Sequence, residues 1–203
     1  MFVFITIHLK LDPFFVDKAE KYVLADTQRL VYFVRRKGAM QAIKKEVFQN
    51  HVTGLKVGMN APDFQTADET GKLRSLKEFT GKKLILYFYP ADLTPTCTEE
   101  ACNLRDHFQE LKKKGYEVIG VSKDEMRMHQ KFITKHQLPF HLLADTQLDI
   151  IKAYDVWGKK QFMGKIFDGI VRTTFLISEK GVIERIITKV KSKQHTQQVL
   201  EEE

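Results

Sequence analysis

Residues 84–89 read Leu-Ile-Leu-Tyr-Phe-Tyr, an unbroken apolar and aromatic run of strand length that ends at Pro90. A strand with no polar alternation has no face to turn to water, so it belongs inside a sheet covered on both sides. The chain supplies that cover. Short apolar segments at 117–122, 140–143, 173–177 and 182–188 read as further strands, and helical segments fall between them at 97–114, 125–136, 149–154 and 194–200. Gly115 ends the first of these helices, and Glu179-Lys180-Gly181 marks a tight turn between the last two strands. A small hairpin is expected at 64–67 and 72–75 around Glu69-Thr70-Gly71. This alternation predicts an α/β fold with a central mixed sheet flanked by helices. Trp157, the only tryptophan, is read as a packing residue.

The only two cysteines, Cys97 and Cys102, follow the apolar run. Thr96-Cys97-Thr98-Glu99 reads as a capping box, with Thr96 as N-cap and Glu99 three residues on. Cys97 then falls in the first helical turn, where free N–H groups and the helix dipole favour a thiolate, the reactive form. Thr94, three residues earlier, offers a hydroxyl to the sulfur or to a bound oxygen ligand. Five residues of intact helix separate the two α-carbons by roughly 7.5 Å along the axis. A disulfide tolerates less than about 7 Å. The pair therefore suits a transient disulfide that forms only when the first turn unwinds. Two cysteines in a chain of this length also lack the density of a secreted disulfide scaffold, which points to a reducing compartment, the cytoplasm.

Pro90, Thr94 and Cys97 reproduce a P-x-x-x-T-x-x-C signature, Cys102 follows five residues later, and Arg172 opens the strand in GIVRTTFLI. In these elements the chain resembles the peroxiredoxins, specifically their bacterioferritin comigratory protein or Q-type branch. The likeness runs from about residue 55 to 200 and includes VGMNAPDF, VWGKKQFMGK and HTQQVL. Thr96 stands where that family usually has glycine. The resemblance implies a thioredoxin-like fold and a thioredoxin-dependent peroxidase acting on hydrogen peroxide and organic hydroperoxides. In that chemistry the Cys97 thiolate attacks the terminal peroxide oxygen and becomes a sulfenic acid. Arg172 lowers the Cys97 pKa and polarises the peroxide, Thr94 and backbone N–H groups hold its oxygens, and Pro90 shields the thiolate. Glu100 is a further candidate for this network, although glutamate in a first turn ordinarily does no more than complement the helix dipole. Cys102 is the implied resolving thiol, thioredoxin or a similar dithiol the implied reductant, and a monomer the implied state; no cofactor or metal is called for. A redox switch using the same cysteine pair is the alternative. A dithiol oxidoreductase is disfavoured because it calls for C-x-x-C, and a glutathione-peroxidase-like enzyme because Arg172 points elsewhere.

Residues 1–54 precede the domain at 55–203 and have no counterpart in that resemblance. Residues 1–7 are apolar but too short to span a membrane, and they lack a basic leader and cleavage site. Asp12-Pro13 reads as a helix start, with helices expected at 14–36, broken by Gly38, and at 39–48. The segment is a docking or dimerisation arm, a membrane-surface helix or a stretch upstream of the true start; the last is favoured, with Met40 as initiator. The net charge is +7, and the first 54 residues hold nine basic against five acidic side chains. The remaining excess is small. The lysine runs at 112–114 and 189–193 carry no interleaved aromatics, which argues against a nucleic-acid surface. The seven histidines show no ligand spacing, and Cys97, Cys102 and His107 make no complete tetrahedral set.

Overall fold

The apolar run becomes the central strand, β6 (Lys83–Phe88), of a five-stranded sheet in a computed structural model that describes residues 23–26, 29–36, 39–46 and 48–201. The first three stretches are described as backbone. Two compact units are present, Met1–Gln49 and Asn50–Glu203. In the second, β6 pairs in parallel with β7 (Tyr116–Ser122), which pairs in parallel with β8 (His141–Ala144). On its other edge β6 meets β11 (Thr173–Ile177) antiparallel, and β12 (Ile183–Ile187) completes the order β12-β11-β6-β7-β8. This is the mixed sheet with flanking helices that the alternation predicts.

Period-two geometry turns the single apolar run into two cores. Leu84, Leu86 and Phe88 face one side with Val121, Leu143, Tyr154 and Phe175, while Ile85, Tyr87 and Tyr89 face the other with Cys97, Leu104, Phe132 and Leu142. All six of these β6 and loop side chains are at most 1% exposed. Each such burial is worth about 1.5–3 kcal/mol, so the segment anchors both layers.

Helices α1 (Pro95–Asp106), α2 (Phe108–Lys113), α3 (Met126–His136), α4 (Asp149–Ala153) and α5 (His195–Leu200) surround the sheet. The single helix expected at 97–114 is broken at His107. There the Asn103 carbonyl accepts from the His107 ring at 2.9 Å and from Thr196 Oγ1 at 3.3 Å, as well as from the His107 N–H, and the axis turns. Helix α3 stops because Gln137 takes the left-handed conformation (φ 52) and Pro139 follows shortly after.

Hairpin β4 (Gln65–Ala67)–β5 (Leu73–Ser75) lies where expected. A second hairpin, β9 (Trp157–Phe162)–β10 (Lys165–Ile170), is not in the sequence reading. Its signal is the two-residue connection Met163-Gly164, both at positive φ, which suits a type I′ turn. Trp157 packs against the first core.

The N-terminal unit corrects the helical expectation. Its described residues form an antiparallel sheet of β1 (Val23–Asp26), β2 (Arg29–Arg36) and β3 (Ala39–Glu46); the helix start at Asp12-Pro13, residues 14–22 and 27–28 of the first expected helix and residue 47 of the second lie outside the described residues. Leu30-Val31-Tyr32-Phe33-Val34 is β-branched and aromatic, composition that favours extended backbone over helix. The register pairs Arg36 with Ala39; Gly38, read as a helix stop, lies outside the described residues.

Gly120 of β7 marks how tightly the second core is filled. A β-carbon there would stand 2.6 Å from Leu142 Cδ2 and 2.7 Å from the Tyr87 ring. Gly120→Ala is expected to cost about 1–3 kcal/mol in urea denaturation, as overpacking does. An unchanged midpoint would mean that Tyr87 yields without strain.

Candidate active site

Pro95 starts α1, since proline presets φ for the first helical position and lacks an N–H that would go unpaired there. Thr94 is the N-cap, and its carbonyl accepts the first helical bond from Thr98 N–H at 2.8 Å. The cap thus lies two residues before the expected one; Thr96 lies inside the helix and cannot cap it. Cys97 is the third helical residue. The N–H groups of Thr96 and Cys97 precede the first i→i−4 bond, which leaves them at the positive end of the helix dipole. The Thr94 hydroxyl donates to the Ala91 carbonyl at 3.0 Å rather than to the sulfur. Pro90 follows the strand end and is half-buried.

Helix α1 receives its position from a clamped loop. Asp92 is buried; its N–H donates to Asp124 Oδ2 at 2.8 Å, and its carboxylate accepts from Tyr89 O–H and from His129 Nδ1, each at 2.7 Å. His129 Nε2 faces the Leu143 carbonyl at 3.1 Å. Both ring nitrogens of His129 therefore meet oxygen atoms, and both side chains have 0% exposure. Strand β7, helix α3 and strand β8 together hold the loop before Cys97.

Arg172 reaches the same point from the other side. Thr173 of β11 pairs with Phe88 of β6, so the residue before β11 stands where β6 gives way to the cysteine loop. Its guanidinium donates through Nη2 to Cys97 Sγ at 3.1 Å and through Nη1 to Glu100 Oε2. Cys97 is 2% exposed and Glu100 wholly buried. Glu100, read in sequence mainly as a complement to the helix dipole, is thus the carboxylate that pairs with the arginine. One planar fork bridges a thiol and a carboxylate one turn apart. A second cation lies nearby. Lys160 on β9 donates to the Ile170 carbonyl at 2.8 Å; burial holds its ammonium below the usual lysine range while the charge of Cys97 pulls the other way.

Both cysteines are free and lie in the same α1 segment. Cys102 is half-buried with Sγ 3.8 Å from His136 Nδ1, away from the Arg172 contact. Burial, then the charges of Lys135 and Arg105, hold His136 below the usual histidine range.

The structure therefore brings together Cys97, Arg172 and Glu100, and places Thr94 at the cap of the same helix. Lys160, His129 and His195 were not singled out in sequence; their partners lie far away along the chain, and no local spacing marks them. Asp68, Glu69 and His141 form a cluster with ligand atoms within 4.8 Å of one another. Its acceptors are already engaged. Asp68 accepts from Arg74 Nε at 2.8 Å, Glu69 pairs with His141 Nδ1 at 2.8 Å, and Arg74 Nη2 reaches His141 Nε2 at 2.9 Å.

The AhpC/TSA family model matches residues 57–186. Escherichia coli K12 peroxiredoxin Bcp is 42% identical over 146 residues, covering 72% of this chain and 94% of that one. Among solved structures, Xanthomonas campestris peroxiredoxin Q superposes with a TM-score of 0.65 at 33% identity, covering 73% of this chain and 94% of that one. A Xanthomonas campestris bacterioferritin comigratory protein, studied for alkyl peroxide reduction, superposes with a TM-score of 0.65 at 32% identity, covering 73% and 95%. The chain belongs to the AhpC/TSA family. Within it, the resemblance is to the Bcp or Q-type peroxiredoxins, and the fold is thioredoxin-like.

The loop clamp generates a prediction. His129→Leu takes a buried hydrogen-bond partner from Asp92 and is expected to destabilise the protein by about 1–3 kcal/mol in chemical denaturation. A loss below about 1 kcal/mol would show that this contact does not clamp the loop.

Proposed function

We propose that the chain is a thiol peroxidase that reduces hydrogen peroxide and organic hydroperoxides, with Cys97 as nucleophile and thioredoxin or a similar dithiol protein as reductant. The observation that carries this reading is the guanidinium of Arg172 at 3.1 Å from Cys97 Sγ, in a buried site at the start of a helix. The fork aims one donor at the sulfur and so at whatever oxygen approaches it. The sulfur lone pair attacks the terminal peroxide oxygen, the O–O bond breaks, and the leaving oxygen takes a proton to depart as water or alcohol. Cys97 is left as a sulfenic acid. Charge builds on the peroxide oxygens as the bond breaks, and the guanidinium and the N–H groups of Thr96 and Cys97 are the donors suited to meet it. Thr94 joins them if its hydroxyl leaves Ala91 for the substrate. Pro90 limits the approach of water.

Cys102 then resolves the sulfenic acid. Its sulfur attacks Cys97 Sγ, the S–O bond breaks, and hydroxide leaves with a proton as water. In an intact helix the two α-carbons stay about 7.5 Å apart along the axis, beyond disulfide reach, so α1 unwinds first. An external dithiol reopens the bond by exchange. The cytoplasm, where thiols are kept reduced, suits this cycle. The alkyl peroxide reduction studied in the Xanthomonas protein supports the inclusion of organic hydroperoxides.

NADPH consumption with thioredoxin, thioredoxin reductase and hydrogen peroxide tests the reading. The wild-type chain is expected to turn over and Cys97→Ser to fall to background. Cys102→Ser is expected to consume about one equivalent of peroxide and then stall, because a sulfenic acid without its resolving thiol cannot form the disulfide. No turnover by wild type with verified free thiols would remove thioredoxin as reductant and favour the redox switch. Full cycling by Cys102→Ser would end the resolving role.

A further inference from the structure

Behind Arg172 the line of polar contacts continues into the C-terminal helix. Glu100 gives Oε2 to Arg172, and its other oxygen, Oε1, stands 3.3 Å from Nδ1 of His195, the first residue of α5. Glu100, His195 and Thr174 are all wholly buried. Oε1 and Nδ1 are within ion-pair distance yet off hydrogen-bond alignment, and neither has another hydrogen-bond partner among the described residues. The far nitrogen, Nε2, is 2.9 Å from Thr174 Oγ1.

These contacts select one tautomer. A carboxylate oxygen only accepts, whereas a threonine hydroxyl donates or accepts. A bare Nδ1 would oppose its lone pair to that of Oε1 in a buried site, an unmade bond costing about 1–3 kcal/mol. The proton therefore belongs on Nδ1, and Thr174 donates to Nε2. Protonation of both nitrogens is suppressed, because burial and then the charge of Arg172 push His195 down to about 3. The ring meets Glu100 as a neutral donor. Helix α5 is held to α1 at this level by Asn103, whose Oδ1 accepts from Thr196 N–H at 2.8 Å and whose Nδ2 donates to the Lys193 carbonyl at 3.0 Å.

We propose that His195 is a positioning residue for the thiol site: its Nδ1–H fixes the Glu100 carboxylate, and through it the Arg172 fork on Cys97. The proposal rests on the reading of Cys97 as the reactive thiol. It gives the C-terminal helix a part in the chemistry without contact to substrate. A carboxylate with one free oxygen can rotate and carry the guanidinium with it; one whose second oxygen faces an N–H dipole at 3.3 Å in a buried site is restrained by that dipole, short of an aligned hydrogen bond.

The test compares His195→Leu with His195→Asn, whose amide N–H falls near the place of Nδ1–H. Two rates are read: reaction with hydrogen peroxide, and alkylation of Cys97 by iodoacetamide at neutral pH, followed on the Cys97 peptide by mass spectrometry. His195→Leu is expected to slow both by about 10- to 100-fold, the scale of a misplaced catalytic group, and His195→Asn to stay within about threefold of wild type. A folded His195→Leu reacting at the wild-type rate would overturn the proposal, as would His195→Asn falling as far as His195→Leu. Should His195→Leu fail to fold by circular dichroism, Thr174→Val serves instead. It removes the donor to Nε2, lets the proton move there and turns a bare Nδ1 toward Glu100, so slower alkylation is expected and an unchanged rate overturns the tautomer argument. Alkylation needs no peroxidase activity. Slowed alkylation alongside a wild type inert to peroxide would defeat the functional reading while leaving the positioning role in place.

Discussion

The guanidinium of Arg172 bridges Cys97 and Glu100, two side chains of one helix, and most of the surrounding architecture brings those three groups to one point. The strand pairing β6-β11 delivers the arginine to the end of the sheet. Proline at the first helical position and the Asp92 clamp deliver the cysteine. Neither charged group is tolerable there alone. A buried carboxylate without a partner would protonate or destabilise the fold, and a buried guanidinium without acceptors is as costly. Site and fold are therefore coupled: the arginine that meets the sulfur also holds Glu100 inside the core.

The central strand explains why the site lies under one layer of helices. Its odd-numbered side chains pack with Cys97, Leu104 and Phe132, and its even-numbered ones with α4 and the opposite core. A one-residue slip of β6 would exchange the two sets and leave the cysteine helix without its floor. Gly120 and the Tyr87 ring fit together at distances that a single methyl group would violate.

How much of this was legible in the sequence depended on the range of each signal. The run at 84–89 has one physical solution, and from it the sheet, the helices of the second unit and the placement of Cys97 follow. The helix start was misassigned by two residues because Thr96-Glu99 imitates a capping box, whereas Pro95 was the stronger cue. Glu100 was undervalued because its partner is 72 residues away. Lys160, His129 and His195 were invisible for the same reason: each acts through a contact made only by folding. In the N-terminal unit the Asp12-Pro13 start suggests a helix running through 29–36, although the β-branched and aromatic composition of that stretch is that of a strand.

Helix α1 carries both thiols and is docked on the sheet and on α5. In the proposed cycle a sulfenic acid on Cys97 waits for that helix to open, and while it waits it meets more peroxide. Two fates then compete. Opening leads to a recoverable disulfide; a second oxidation leads to sulfinic acid, which simple thiols do not reverse. The firmness with which Asn103 and its neighbours fasten α1 to α5 thus becomes a timer. In that cycle the packing of a helix, and not only the reactivity of a sulfur, would set the peroxide dose at which turnover gives way to permanent inactivation.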